Sequence, residues 1–484
     1  MTSLMGLPLE LLVSISSYLP TSDLASLRLT CKQAERSLYE WFSQEFFTKK
    51  QFMLTHSSLQ AFVDISKHAS LSKKLRHVII ATNVFDEIPL RFRDEHAAAR
   101  YIEGYESQKI LLSTGIDREM LSEAFSNLVN LQTVGIRDFN APRLRDGSGA
   151  QWSSWGSTTA YRETGIGLQF SRQGSFSNEV ASRFVSRVFS SVLYALGKVG
   201  RRPSEIEVLL RREGLPDTAF ALPEFLRPTV SPVLNYLTTL LLNVELGGRY
   251  YHTHHDGSIT DASAGRSLRH FLASTPNLAH LRLNFSKHAI DQNEKFLEWL
   301  SDPVSSLSTP QSTFLEPAPV ALTALKQLDL GQLNIRLQTI VALLYKFAPT
   351  LEDVSMWRMG LHAPMPPPPG HKPSYWADLF TTLSTIPNLK LKHLKVGILQ
   401  QDHMHVNFTN QDTENGQPLK VVEHQGRDMD KFYGSLAERV IVSWPEPIDM
   451  SDGNSDEDED MDDEEDGLDE DAEEQDDDDD EDDE

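Results

Sequence analysis

Apolar residues at the start of the chain recur at helical spacing. Leu9, Leu12, Ile15 and Leu19 fall three and four residues apart, on one helix face, and Leu11 and Tyr18 broaden that stripe. Leu7-Pro8 precedes it; proline suits a helix start because the amide hydrogen it lacks would have no partner there. Pro20 ends the pattern. Thr21 and Ser22 offer capping oxygens for a second helix, Asp23 places an anion in its first turn, and Leu24, Leu27 and Leu29 are its apolar positions. Cys31, Ala34, Leu38, Trp41, Phe42 and Phe46 mark a third helix. Three short helices in about forty residues cannot bury all of these side chains among themselves. The surplus apolar face needs either the rest of the chain or another protein.

A different period governs the chain beyond Phe46. The pattern Leu-x-x-Leu-x-Leu recurs, with substitutions, at Leu75-Val78-Ile80, Leu131-Val134-Ile136, Leu237-Leu240-Leu242 and Leu278-Leu281-Leu283. It returns at Leu325-Leu328-Leu330, Leu351-Val354-Met356 and Leu391-Leu394-Val396, with a less regular copy at Ile206–Leu210. The last two apolar residues of each copy alternate with polar ones, as in a strand buried on one face. Helical patterns lie between them, at Asp117–Asn127, Asn178–Lys198, Ser267–Ser274, Asp291–Leu300, Ile335–Phe347 and Tyr375–Leu383. Several end near a proline that stops the helix, as in Thr275–Leu278, and the leucine after it opens the next strand. The fold class is therefore α/β, built from a repeated helix–turn–strand unit.

The central apolar positions step unevenly, from 26 residues (Leu328 to Val354) to 72 (Val134 to Ile206). Insertions fill the gaps. Residues 140–176 are rich in Gly, Ser and Arg, with Trp152 and Trp155, and read as a long loop. Residues 247–266, 301–319 and 362–373 read likewise; the last holds a stiff run of four prolines.

Charge changes the picture at one end. From Ser451 to Glu484 there are 25 acidic residues and neither Lys nor Arg, so the other 45 acids balance the 45 Lys and Arg of the remainder, and the net charge of −25 belongs to the tail. A stretch so charged and so poor in apolar residues is expected to be disordered. The body of the chain carries no basic balance that would draw it to nucleic acid or an anionic membrane. One cysteine excludes an intrachain disulfide and suits a reducing cytoplasm or nucleus. No apolar run reaches the length of a membrane span, and Pro8 and Glu10 interrupt what would be a leader's apolar core.

Candidate chemistry is sparse. His252, His254, His255 and Asp256 are of metal-binding type, as are Asp402, His403 and His405, but nothing fixes a coordination geometry. No metal or cofactor is expected. Tyr250, Tyr251, Trp152 and Trp155 are candidate contact anchors, with packing under a loop the alternative. No phosphate-binding loop, nucleophile elbow or zinc signature occurs. Cys31 is expected to be buried and therefore unreactive. Ser455 in Ser-Asp-Glu-Asp suits an acidophilic kinase.

The N-terminal residues Leu7-Pro8-x-Glu10-Leu11-Leu12-x-x-Ile15, Tyr18-Leu19, Asp23-Leu24, Leu27 and Thr30-Cys31-Lys32 resemble the F-box, position for position, although Gln33 and Ala34 stand where that family usually places a tryptophan. The resemblance covers about a tenth of the chain. It implies a non-catalytic substrate-recognition subunit of a Skp–cullin–F-box ubiquitin ligase. Leu7, Pro8, Leu11, Leu12, Ile15, Leu19, Leu24, Leu27 and Cys31 would contact a Skp-type adaptor, which joins a cullin and a RING subunit. Many F-box proteins pair the box with leucine-rich repeats, and the repeated unit here resembles a degenerate form of that solenoid, the alternative being an unrelated α/β domain. The expected organisation is an F-box at 1–48, an irregular leucine-rich-repeat-like substrate-binding region at 49–445, and an acidic tail at 446–484, in a cytoplasmic or nuclear protein. The other functional reading is an interaction scaffold, or a chaperone for basic proteins, that acts through the tail.

Overall fold

The computed structural model describes residues 4–444 apart from 20, 87–90, 141–152, 169–177, 213, 248–251, 254–258, 261–264, 287–288, 305–316, 364–367, 369–370, 411–416 and 427. The expectations for Pro20, Trp152, Tyr250, Tyr251, His254, His255, Asp256, Ser455 and the acidic tail lie outside the described residues, as does the side chain of His252. Two compact units divide the chain, the first built on residues up to Leu38 and the second on Tyr39–Phe139 and Ser154–Ser443.

In the first unit, the N-terminal periodicity resolves into helices α1 (Leu9–Ser17) and α2 (Thr21–Thr30) and the start of α3 (Lys32–Phe47). Leu12, Leu24, Ala34 and Leu38 are its buried apolar residues.

The second unit is α/β. Its main sheet takes its strands in chain order: Lys49–Met53, His77–Ala81, Thr133–Arg137, Glu205–Leu209, Thr239–Glu245, His280–Phe285, Gln327–Gly331, Asp353–Trp357, His393–Gly397 and Val421–Gln425. Every neighbouring pair on this path is parallel except the last, which is antiparallel. Parallel neighbours need a crossover, and each crossover here carries at least one α-helix.

The repeated leucines explain the register. Val78, Val134, Ile206, Leu240, Leu281, Leu328, Val354 and Leu394 are successive partners in one row across eight strands. All eight are buried in a single core with the intervening helices, and the leucines that open each copy, from Leu75 to Leu391, join it. The irregular copy at Ile206 keeps the row, so the spacing varies only in the crossovers.

The other face of the sheet changes along the path. Strands Thr133–Arg137 and Glu205–Leu209 are buried on both faces or nearly so. From Gln327–Gly331 to His393–Gly397, only the core-facing residues and the C-terminal ends are buried. On the outer side of Thr133–Arg137 and Glu205–Leu209, Arg137 bonds Glu207, and Phe139 packs with Leu209 and Leu241, whereas the residues from Ser154 onward lie at the first strand. This segment, expected to be loop, contains a helix, Ser157–Thr164. Trp155 donates its amide to the carbonyl of Gln51 on the first strand at 2.8 Å. That bond covers an edge that would otherwise expose unpaired backbone groups.

Three features depart from the sequence reading. The helix expected over Ile335–Phe347 starts at Leu337, because Ile335 and Arg336 belong to the short strand Asn334–Arg336. That strand opens a second sheet with Gly360–His362, Leu399–Gln401, Met404–Phe408 and Val440–Val442. The first three follow main-sheet strands after Gln332, Arg358 and Ile398, which take positive φ of 56°, 51° and 50°. Non-glycine residues rarely adopt this conformation. Here each donates its amide to the next unit, Gln332 to Trp357, Arg358 to Gly397 and Ile398 to Lys420, at 2.9–3.0 Å. Finally, strand Lys49–Met53 and helices His56–Lys67 and Glu95–Thr114 form where the sequence shows no repeat pattern.

Candidate adaptor-docking surface

Pro8 stands one position before α1, and its carbonyl accepts the amide of Leu12 at 3.1 Å. Glu10 and Asp23 lie in the first turns of α1 and α2, where the helix dipoles favour anions. The side chains of Thr21 and Ser22 lie outside the described residues. Cys31 sits at the start of α3: its carbonyl accepts the amide of Glu35 at 3.1 Å, and its Sγ accepts that of Ala34 at 3.4 Å. The thiol thus takes the capping role usually given to a hydroxyl or carboxylate. Contrary to expectation, Cys31 is exposed, because a capping position lies at the rim of the helix end rather than beneath it.

The apolar residues of the unit divide by burial. Leu12 and Leu24 are buried, Leu19 and Leu27 are half-buried, and Leu7, Pro8, Leu11, Ile15 and Cys31 are exposed. Leu11 and Ile15 are 52% and 44% exposed and lie four residues apart, side by side along α1. Leu4, Leu7, Leu9, Tyr18 and Leu29 are exposed as well. Seven large apolar side chains within 26 residues are therefore exposed, whereas the others among the described residues are spread from Ile102 to Ile441. Such a concentration marks an interaction surface.

The family model of the F-box-like domain matches residues 4–36. The chain carries an N-terminal F-box-like domain. No curated protein matches the sequence. The matched span takes in α1, α2, the capping cysteine and the first turn of α3, and F-box domains bind Skp-type adaptors.

Beyond the F-box-like domain, the polar face of the main sheet is organised by ion pairs between strands. Glu207, almost wholly buried, accepts from His77 Nε2 at 2.9 Å and from Arg137 Nη2 at 2.9 Å. Burial opposes its ionisation, but His77, Arg137 and Lys49 together hold its carboxyl far below the ordinary carboxylate range. Gly135 lies under this side chain; a Cβ there would stand 2.5 Å from Glu207 Oε1. Further along, His280 Nε2 meets Asp329 at 2.7 Å, and His393 lies between Glu423 at 2.7 Å and Asp353 at 3.6 Å. Burial raises the Asp353 carboxyl above its usual value despite His393.

Of the candidate metal residues, Asp402, His403 and His405 lie among the described residues. Asp402 and His403, at positive φ of 46° and 70°, form the tight turn between Leu399–Gln401 and Met404–Phe408, with His405 in the second strand. Two consecutive positive φ values suit the twist of a two-residue hairpin. Among the described residues no group of three or more His, Cys, Asp or Glu could hold a metal, and no helix is long and apolar enough to cross a membrane.

Proposed function

We propose that this protein is the substrate-recognition subunit of a Skp–cullin–F-box ubiquitin ligase. The observation that carries the proposal is the coincidence of the F-box-like match at 4–36 with a dense set of exposed apolar side chains. In this reading Leu7, Pro8, Leu11, Ile15, Leu19, Leu27 and Cys31 meet the adaptor, and Leu12 and Leu24 hold the helices that present them. Cullin and RING subunits are joined through the adaptor. The chain itself contributes proximity: it holds a substrate protein where a conjugating enzyme can reach its lysines.

Residues 49–445 are the substrate-binding region in this proposal, an irregular leucine-rich-repeat-like solenoid. The single row of apolar partners from Val78 to Leu394 supports that description, since stacked units of one kind would produce it. The polar sheet face from His280 onward is the surface assigned to the substrate. The cytoplasm or nucleus, where such ligases work, is the proposed location.

The test is capture of a purified Skp-type adaptor. Burying one Leu or Ile is worth about 1.5–3 kcal/mol, so Leu11→Ala with Ile15→Ala should weaken capture by well over tenfold. Both residues are exposed in the free chain, so the double variant should keep the wild-type circular dichroism and melting temperature. Equal adaptor capture by variant and wild type would overturn the assignment.

A further inference from the structure

In the second unit, short connections lead from a helix to the foot of the next strand. For four neighbouring strands these are residues 68–76, 128–132, 199–204 and 235–238, all of them described. They are stapled to one another: Gln132 donates its amide to the Arg76 carbonyl at 2.8 Å, Asn130 Nδ2 donates to that of Lys73 at 2.8 Å, and Thr238 donates its amide to Ser204 at 2.9 Å. Leu75, Leu131, Pro203 and Leu237, each two positions before its strand, are buried, and the residues just before them are the tips of the connections. Along the sheet the exposed tips include Lys73, Val129, Arg202 and Tyr236, so cationic and apolar side chains alternate from strand to strand. Val129 and Tyr236 are 63% and 54% exposed. Several cations of this edge are already engaged. Lys67 and Lys198 pair with Glu123 and Glu119 at 2.6 Å, Lys74 pairs with Glu40, and Arg201 donates to the carbonyls of Phe125 and Ser126 at the end of helix Ile116–Asn127. Glu205, at the foot of its strand, accepts from Thr133 at 3.0 Å. Lys73, Arg76 and Arg202 are exposed, and among the described residues no ion pair or hydrogen bond engages their charged groups.

We infer that an acidic amphipathic helix of a protein partner lies along this edge, with carboxylates opposite Lys73, Arg76 and Arg202 and apolar side chains against Val129 and Tyr236. The spacing suits a helix. Neighbouring strands stand about 4.8 Å apart, and one turn of α-helix rises about 5.4 Å. One residue per helical turn therefore faces one connection, and across four strands the mismatch grows to only about 2 Å. The three unengaged cations select carboxylates through charge. The apolar tips distinguish a protein partner from nucleic acid or free phosphate: an aliphatic side chain such as Val129 offers a phosphate nothing, whereas tyrosine is a common anchor of protein interfaces. The edge lies at the feet of the first strands, apart from the polar sheet face assigned to the substrate. It therefore adds a second partner to the receptor reading and does not depend on it.

The probe is a short, fluorescently labelled helical peptide of Glu, Leu and Ala, with Glu and Leu alternating along one face, titrated against the full chain by anisotropy. A peptide with Lys in place of every Glu is the control and should bind far more weakly. Lys73→Glu with Arg202→Glu should weaken the acidic peptide by about tenfold or more, and Val129→Ser with Tyr236→Ser by about fivefold. Lys73→Arg with Arg202→Lys keeps the charges and should bind as the wild type does. All four positions are exposed, so every variant should keep the wild-type circular dichroism and melting temperature. Raising the salt to about 0.5 M should weaken binding, and a proline in the middle of the peptide should abolish it. Equal binding by wild type and the charge-reversed variant would overturn the inference, and undiminished binding of the proline peptide would overturn the helical form of the partner. Tighter binding of a single-stranded RNA of mixed sequence would assign the edge to nucleic acid instead. Binding that appears only when residues 451–484 are removed would assign it to the chain's own acids. Adaptor capture should be unchanged in all variants; its loss in the charge-reversed variant would assign the edge to the adaptor and remove the second partner, while leaving the receptor reading in place.

Discussion

Glu207 shows how one residue on the polar sheet face is fixed by neighbours distant in sequence. It is buried, and its charge is tolerated because Arg137 and His77 both donate to it. Removing one partner of such a pair is more damaging than the pair is stabilising, since the other charge stays buried. Glu207→Gln should therefore cost about 3–5 kcal/mol at neutral pH, measured by denaturant unfolding. The pH dependence has a definite sign. The folded carboxyl titrates below its unfolded value, so its contribution is complete above about pH 4–5 and declines as the pH falls further. The gap between wild type and variant should narrow in acid; a gap constant down to pH 3 would show that the carboxylate's charge is not what stabilises the site. Gly135 is the second half of the arrangement. Gly135→Ala would drive a methyl into the Glu207 carboxylate and should destabilise by about 1–3 kcal/mol, as overpacking does.

At the scale of the element, the row of apolar partners makes the main sheet one packing system. Leu240, Leu281, Leu328 and Leu394 are each fully buried in the same core. Leu→Ala at any of them should cost about 2–5 kcal/mol in chemical denaturation. The four sites belong to four strands of a shared core, so each loss should appear in the same unfolding transition; a variant that melts one segment separately would contradict that. The left-handed bends that open the second sheet store strain of the opposite kind. Arg358 adopts φ of 51° without being glycine, so Arg358→Gly removes a penalty of about 1–2 kcal/mol, partly offset by the greater freedom of glycine in the unfolded chain. A small net stabilisation is expected, read as a rise in melting temperature.

For the whole molecule, charge and fold are separable in sequence. Residues 1–450 are formally neutral, and the entire excess of acid lies in the tail. Deleting 451–484 should leave the melting temperature and adaptor capture unchanged, and should abolish any salt-sensitive binding of a histone-like basic protein. Salt-insensitive binding that survives the deletion would remove the tail-based chaperone reading. The sequence by itself determined the helical N-terminus, its F-box character and the row of strand leucines. Periods of 3.6 and 2 are local records of which side faces a core, and they survive any length of insertion between copies. It could not decide which N-terminal leucines face outward, since Leu11 and Leu12 satisfy the same stripe and only the packing of three helices buries one and exposes the other. Short strands such as Asn334–Arg336 were invisible because three residues hold too little of a period. Residues 77, 137 and 207 meet only because strands far apart in the chain are neighbours in the sheet. Tertiary structure alone decided those placements, because cross-strand proximity is set by register and not by spacing along the chain.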